Sequence, residues 1–173
     1  MQSQRIKAVE LLTPLFPKRD FTFLGEGASS VILHDTQWVY KVVLPSSQPR
    51  LAADYLASSV LQANKEKFRH KKFFYPLHQL VKLVDGGYII VYPYEVSNPC
   101  ASFDFPEIQC FLVEAWQMKL VFLDVKPANF IRVTGQLKWI DYDPEPLTDN
   151  LFLNMAARAF LYARYPTAEE SYL

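Results

Sequence analysis

FLDVKPANFIRVTGQLKWID, residues 122–141, is the stretch whose reading decides what kind of chain this is. Asp124, Lys126 and Asn129 stand in a D-x-K-P-x-N frame, and a second aspartate, Asp141, closes the stretch. Between them lies a hairpin pattern: Phe130–Val133, a Thr134-Gly135 turn, then Leu137–Ile140, with apolar and polar residues partly alternating. A carboxylate able to take a proton, a lysine, and two further oxygen-bearing side chains suited to a hard cation are thus gathered in one short segment. An ordinary loop can hold this frame by chance, so the remainder of the chain has to agree with it.

The chain has 173 residues, 50% hydrophobic and 21% charged, enough to build a core in one compact unit or two small lobes. Its 18 basic and 18 acidic residues cancel, so no global field favours nucleic acid or an anionic membrane. The basic run KEKFRHKK, residues 65–72, reads as the solvated end of a helix, with a partner-binding patch as the alternative. No apolar run is long enough to span a bilayer. Arg5, Lys7 and Glu10 interrupt the N-terminal apolar residues, unlike a secretory signal. Cys100 and Cys110 form neither a C-x-x-C pair nor a disulfide framework, which suits reduced thiols in a cytoplasmic setting.

Upstream, residues 3–12 predict a helix with Ile6, Val9 and Leu11 or Leu12 on one stripe, ended by Pro14 and Pro17. From Asp20 the pattern becomes strands. Phe21–Leu24 runs into Gly25-Glu26-Gly27-Ala28-Ser29-Ser30, then Val31–Leu33, a turn at Asp35-Thr36, and Trp38–Val43. A G-x-G between strands lets backbone amides approach phosphates with no Cβ in the way. Lys41 sits in the apolar strand WVYKVV, where burial is costly without a partner. A helix is expected over residues 51–67, and Leu77–Val84, the Asp85-Gly86-Gly87 turn and Tyr88–Tyr92 read as a hairpin. Pro106 opens a further helix over Glu107–Leu120, and a last one is expected near Asp149–Arg164, with Asp149 as cap or dipole partner.

Gly25-x-Gly27, Lys41, Asp124-x-Lys126-x-x-Asn129 and Asp141, in that order and in those elements, resemble the protein-kinase superfamily over about Phe21 to Tyr162. The resemblance implies an α+β, two-lobed fold. A five-stranded antiparallel sheet plus a helix would form an N-lobe over about 18–92, with a hinge at about 92–97. A truncated helical C-lobe would follow over about 98–173, making residues 1–173 one minimal kinase domain. It also implies ATP and Mg²⁺ as cofactors. Asp124 would be the catalytic base, Lys126 would meet the γ-phosphate and Lys41 the α- and β-phosphates, while Asn129 and Asp141 would hold the metal. Gly25, Gly27 and Ser29 would line the phosphates, and Val31 stands where kinases carry a valine over the adenine. Tyr92 and Tyr94 flank Pro93 in the hinge segment, whose backbone would hydrogen-bond adenine; Pro93 has no N–H to give, so those contacts would come from its neighbours. The acid that would pair with Lys41 is Glu66, with Asp54 as the alternative.

Lys126, two residues after the catalytic aspartate, resembles the Ser/Thr-type protein kinases, and compact bacterial effector kinases are similar in size. The ending also resembles the short atypical kinase of the tRNA threonylcarbamoylation complex. The His-Arg that usually precedes the aspartate is Phe122-Leu123 here, so a phosphorylated activation loop would have no arginine to bind. The Asp-Phe-Gly triplet is Asp141-Tyr142-Asp143, which loses a glycine hinge and adds a carboxylate near the metal. The expectation is therefore an ATP- and Mg²⁺-dependent kinase acting on Ser/Thr of a protein, aided by a substrate or activating partner. It would work in the cytoplasm or as an effector in a host cell. A kinase-fold binding module with little turnover is the second reading, and a small-molecule phosphotransferase the third.

Overall fold

The computed structural model describes residues 2–27, 30–44, 48–84, 86–97 and 100–165, and of 2–3 and 48–55 the helical backbone alone. The chain divides into two units, Met1–Gln62 with Leu77–Tyr94, and Ala63–Pro76 with Glu95–Leu173.

The first unit is built on a five-stranded antiparallel sheet in the order β1-β2-β3-β5-β4. Its strands are β1 (Thr22–Glu26), β2 (Ser30–His34), β3 (Trp38–Val43), β4 (Gln79–Lys82) and β5 (Tyr88–Pro93). Helix α1 (Gln2–Leu15) precedes them, and α2 (Gln48–Asn64) lies between β3 and β4 in sequence. Register decides which residues share a face. Val31 pairs with Val42 and Leu33 with Tyr40, while Ile89 and Val91 pair with Val42 and Tyr40 from the other side. Those six side chains form one apolar face, and Ala8 and Leu12 of α1 cover it, one helical turn apart. The stripe expected on α1 is therefore rotated: Ile6 is 54% exposed, and the small Ala8 makes the close approach instead.

The β2–β3 turn is tied by a buried carboxylate. Asp35 accepts from the amides of Gln37 and Trp38, both at 2.7 Å, from the Tyr40 hydroxyl at 2.8 Å, and from Arg19 at 3.1 Å. Burial alone would raise the pKa of Asp35, but these donors outweigh it and hold the carboxyl below its usual value. Burial and the bond to Asp35 raise that of Tyr40.

The second unit has an aromatic centre. Helix α3 (Phe105–Met118) contributes Ile108, Phe111, Leu112, Ala115 and Met118 to it. The hairpin β7 (Phe130–Val133) and β8 (Gln136–Trp139) contributes Phe130 and Trp139, whose rings lie 5.2 and 5.6 Å from that of Phe111. The turn joining these strands has φ of 47° at Thr134 and 81° at Gly135, the left-handed pair that matches strand twist in a two-residue hairpin. The short strands β6 (Leu120–Phe122) and β9 (Pro144–Pro146) pair antiparallel, and α4 (Asp149–Arg164) packs on α3. Thr148, not Asp149, is the N-cap of α4: its hydroxyl accepts from the Leu151 amide.

The helix expected over residues 51–67 stops at Asn64, and Lys65–His70 tightens into a 3-10 turn that buries Phe68 completely. The basic run thus follows α2 as a 3-10 turn, with Phe68 alone buried among mostly exposed side chains. Lys67 Nζ donates to the Met118 carbonyl at the end of α3, and Lys71 Nζ to Gln117. Glu114 accepts from the amides of Lys72 and Phe73 at 2.8 and 2.9 Å. Among the described residues, no helix is long and apolar enough to cross a membrane.

The start of α3 has a reciprocal cap. Asp104 Oδ1 accepts from the Glu107 amide, and Glu107 Oε2 accepts from the Asp104 amide. Arg132 of β7 then grips both oxygens of Glu107 at 2.5 and 2.7 Å. The arginine's hydrogen bonds pull the Glu107 pKa below the usual carboxylate value. A depressed carboxyl contributes stability that is fully present above its unfolded pKa and lost as pH falls through the folded one. Glu107→Gln should cost about 2 kcal/mol in urea denaturation at neutral pH. The gap to the parent should begin to narrow as pH falls below the ordinary glutamate value of about 4, and close only at the lower pH where folded Glu107 is protonated as well.

Candidate active site

Two ladders bring the residues of the opening stretch together. In the β6–β9 ladder Phe122 lies opposite Pro144, so the chain leaving β6 toward Asp124 and the chain entering β9 from Asp141 meet at one end. In the hairpin Phe130 lies opposite Trp139, which sets Asn129 beside Ile140, and the Ile140 amide donates to the Asn129 carbonyl at 3.0 Å. Asp124, Asn129 and Asp141 converge because both registers hold at once.

The loop between β6 and β7 has its own logic. Val125 is fully buried, which turns Asp124 and Lys126 on either side of it outward. Pro127 starts a single 3-10 turn, Pro127–Asn129, closed by the Asn129 amide on the Lys126 carbonyl at 3.0 Å. Lys126 Nζ lies 2.8 Å from Asp124 Oδ2, both side chains partly exposed. The Asn129 amide nitrogen reaches the Asp124 carbonyl at 2.8 Å, Asp124 Oδ2 at 3.0 Å and Asp141 Oδ2 at 3.3 Å. One side-chain amide thus stands between two carboxylates that would otherwise repel.

This donor set suits a hard cation. Asp141 offers carboxylate oxygens and Asn129 an amide oxygen, on the side away from the nitrogen held by the Asp124 carbonyl. Among the described residues, no group of three His, Cys, Asp or Glu side chains could hold a metal alone. Mg²⁺ commonly takes only one or two protein oxygens and completes its shell from phosphates and water, so two such ligands fit it. Asp143, next along, is exposed.

In the first unit, Lys41 is 5% exposed at the centre of the sheet, opposite Ile32 on β2 and Ile90 on β5. Val31 corrects an expectation. It pairs with Val42 and lies in the core under α1, on the sheet face opposite Lys41, so it cannot line a ligand that Lys41 touches. The residue on the Lys41 face is Ile32, and a one-residue offset is all that separates the two readings. The β1–β2 register shifts between Phe23 and Gly25. A Cβ on Gly25 would meet nothing within 4 Å, so local packing does not demand glycine there. The Gly27 amide donates to the Ser30 carbonyl at 2.8 Å, and Ser29 lies outside the described residues.

Tyr92 is buried on β5 opposite Val39. The Tyr94 amide donates to the Gln37 carbonyl at 2.9 Å, and its ring stacks on His34 at 4.0 Å. That corrects the expectation of a base-binding donor at Tyr94: its N–H is engaged by the β2–β3 turn. Glu66 is exposed in the second unit and pairs with Arg69 at 3.1 Å, while the side chain of Asp54 lies outside the described residues.

Neither a protein-family model nor a curated protein matches the sequence. Solved structures do. The PknI kinase domain of Mycobacterium tuberculosis aligns over 71% of this chain at 18% identity and a TM-score of 0.51. A chain of the Chaetomium thermophilum CAK complex, solved bound to ATP-γ-S, aligns over 82% at 15% identity and a TM-score of 0.55. The fold is protein-kinase-like. The chain spans 59% and 52% of the length of these two kinase-fold chains. The α+β class and five-stranded antiparallel sheet expected from the sequence are those of the structure.

Sequence reading missed Tyr142 and Tyr75, which are 67 residues apart and joined through the Tyr142 hydroxyl. No local signal could have paired them. The clustering also carries a stability consequence. Asn129→Ala removes the donor shared by Asp124 and Asp141 and should cost about 2 kcal/mol in chemical denaturation, with Asn129→Asp costing more because it adds a third negative charge.

Proposed function

We propose that this chain transfers the terminal phosphoryl group of Mg·ATP to a Ser or Thr hydroxyl of a protein. The observation that carries the reading is the Asn129 amide bridging Asp124 and Asp141, with Lys126 on the same Asp124 oxygen. Phosphoryl transfer asks a protein for little beyond positioning and fixed charge. Asp124 accepts the proton of the attacking hydroxyl. Lys126, tied to Asp124, keeps its cation beside that base and stabilises charge gathering on the phosphoryl oxygens. Asn129 and Asp141 hold Mg²⁺, which when bound neutralises the phosphates. Lys41, buried in its strand, supplies the cation for the α- and β-phosphates, and Ile32 takes the apolar role first read for Val31. The glycine turn at Gly25 and Gly27 leaves the space a phosphate chain would need.

A second reading, a nucleotide- and partner-binding module with little turnover, is favoured by the Asp141-Tyr142-Asp143 triplet, where Asp143 stands in place of the glycine. Asp124 separates the two readings, because a binding module has no use for a base.

Asp124→Ala should abolish transfer to any hydroxyl acceptor while Mg·ATP affinity, read by calorimetry, stays within a few-fold of the parent. Full activity in that variant would remove Asp124 from the chemistry. Asp141→Asn should weaken Mg·ATP binding and leave metal-free ATP binding unchanged; equal Mg·ATP affinity in parent and variant would exclude Asp141 as a metal ligand.

A further inference from the structure

We infer that Arg5 of α1 is a positioning residue that locks a bulge in β1, so that Gly25 faces the Lys41 side of the sheet and the Glu26 carboxylate is held on the other. The inference rests on the proposed phosphate-binding role of the Lys41 side and adds a residue upstream of the kinase-like stretch.

Residues directly opposite each other in an antiparallel pair point to the same side of the sheet. Phe23 lies opposite Leu33, Gly25 opposite Ile32 and Glu26 opposite Val31, with the register shifting between Phe23 and Gly25. Leu24 is therefore the extra residue of a bulge, on an edge strand, where bulges are commonest. The bulge exchanges faces. Leu33 and Val31 belong to the core under α1, so Phe23 and Glu26 share that side although they stand three residues apart. Ile32 pairs with Lys41, so Gly25 shares the side of Lys41. A regular ladder continuing from Phe23 would set Gly25 opposite Val31 and Glu26 opposite Ser30. The glycine would then face the core, and the carboxylate would face the Lys41 side.

Arg5 meets both residues that the bulge brings together. Its guanidinium lies over the Phe23 ring, 3.5 Å from the centroid, and its Nε donates to Glu26 Oε2 at 3.4 Å. In the regular register Phe23 and Glu26 would lie on opposite sides of the strand, out of reach of one guanidinium. Arg5 stands three and seven residues before Ala8 and Leu12, both fully buried. The stripe that docks α1 on the sheet therefore also aims Arg5 at β1. An exposed ion pair alone contributes little to stability. Here the planar cation stacks as well, and the two contacts together favour one register over another that differs by a single residue.

The choice of register matters because of charge. Among the described residues, no atom beyond its chain neighbours comes within 4 Å of a Cβ placed on Gly25, so the strand is open there on the Lys41 side. Phosphates reaching that side carry several negative charges, and a carboxylate slipped onto it repels them. Paired with Arg5 on the other face of the strand, Glu26 is kept out of their way.

The test measures ATP binding to the full chain by calorimetry, with the register read by nuclear Overhauser contacts between β1 and β2. Arg5→Ala releases Glu26 and should weaken ATP about fivefold, the effect of one unit charge set near the phosphates through water. Adding Glu26→Gln to Arg5→Ala should recover most of that loss, because the released side chain is then neutral. Lys7→Ala removes the same charge from the same helix and should leave the affinity unchanged. The Glu26–Val31 contact should be present in the parent and weakened in Arg5→Ala. Parent-like affinity in Arg5→Ala overturns the inference. So does a loss of which Glu26→Gln restores less than half, since an arginine with a merely structural role is missed whatever stands at position 26. An equal loss in Lys7→Ala overturns it too, by reducing the effect to long-range charge. Should Arg5→Ala fold poorly, Glu26→Ala leaves α1 intact and should weaken the contact between position 26 and Val31; an undisturbed contact counts against the lock. A parent that binds no ATP removes the phosphoryl-transfer reading instead. The Overhauser contacts then decide the lock by themselves: it stands if Arg5→Ala weakens the Glu26–Val31 contact and falls if the contact persists.

Discussion

Two carboxylates brought within reach of one amide nitrogen are the constraint on which this structure depends. Asp124 and Asp141 would repel at short range, and neither belongs to a ladder that could hold it there. The Asn129 amide offers each a donor, and the Lys126 ammonium adds a positive charge on Asp124. Such a cluster stands only where the backbone gives it no alternative. The β6–β9 and β7–β8 ladders supply that rigidity, and the aromatic centre beneath them supplies the apolar burial. A charged site on short ladders over a packed core is more sharply placed than one on a free loop.

Around the second unit the polar side chains act mainly as clamps on backbone. Glu114 takes two amides, Lys67 closes the end of α3, Lys138 Nζ donates to the Lys72 carbonyl, and Tyr142 holds both groups of Tyr75. Each gives a backbone N–H or C=O a partner where strands are too short to pair it. Side-chain-to-backbone bonds over a dense aromatic cluster brace the segments that carry Asp124 and Asp141.

The first unit follows a simpler rule, one sheet with two faces. Everything on the Tyr40 face belongs to the core under α1, and Lys41 belongs to the other. The buried Asp35 that ties the β2–β3 turn also reaches the segment leaving the sheet, because Gln37, whose amide it fixes, accepts from the amide of Tyr94. A single carboxylate therefore orders both the turn and the exit of β5.

By itself the sequence determined the order and type of nearly every element, because glycine and proline punctuation, caps and period-two runs are local properties. The Asp124, Lys126, Asn129 and Asp141 set was legible for the same reason: its members lie within one loop and the hairpin that follows. What tertiary structure decided were matters of face and partner. Val31 was assigned to the wrong side because strand period is two, so an offset of one residue along β2 exchanges the faces. Glu66 turned to Arg69, the basic run wound into a 3-10 turn to bury Phe68, and the Tyr94 amide went to Gln37. Tyr142 found Tyr75 across 67 residues. Those outcomes depend on which surfaces meet after the chain has folded, and no local stretch of residues holds that information.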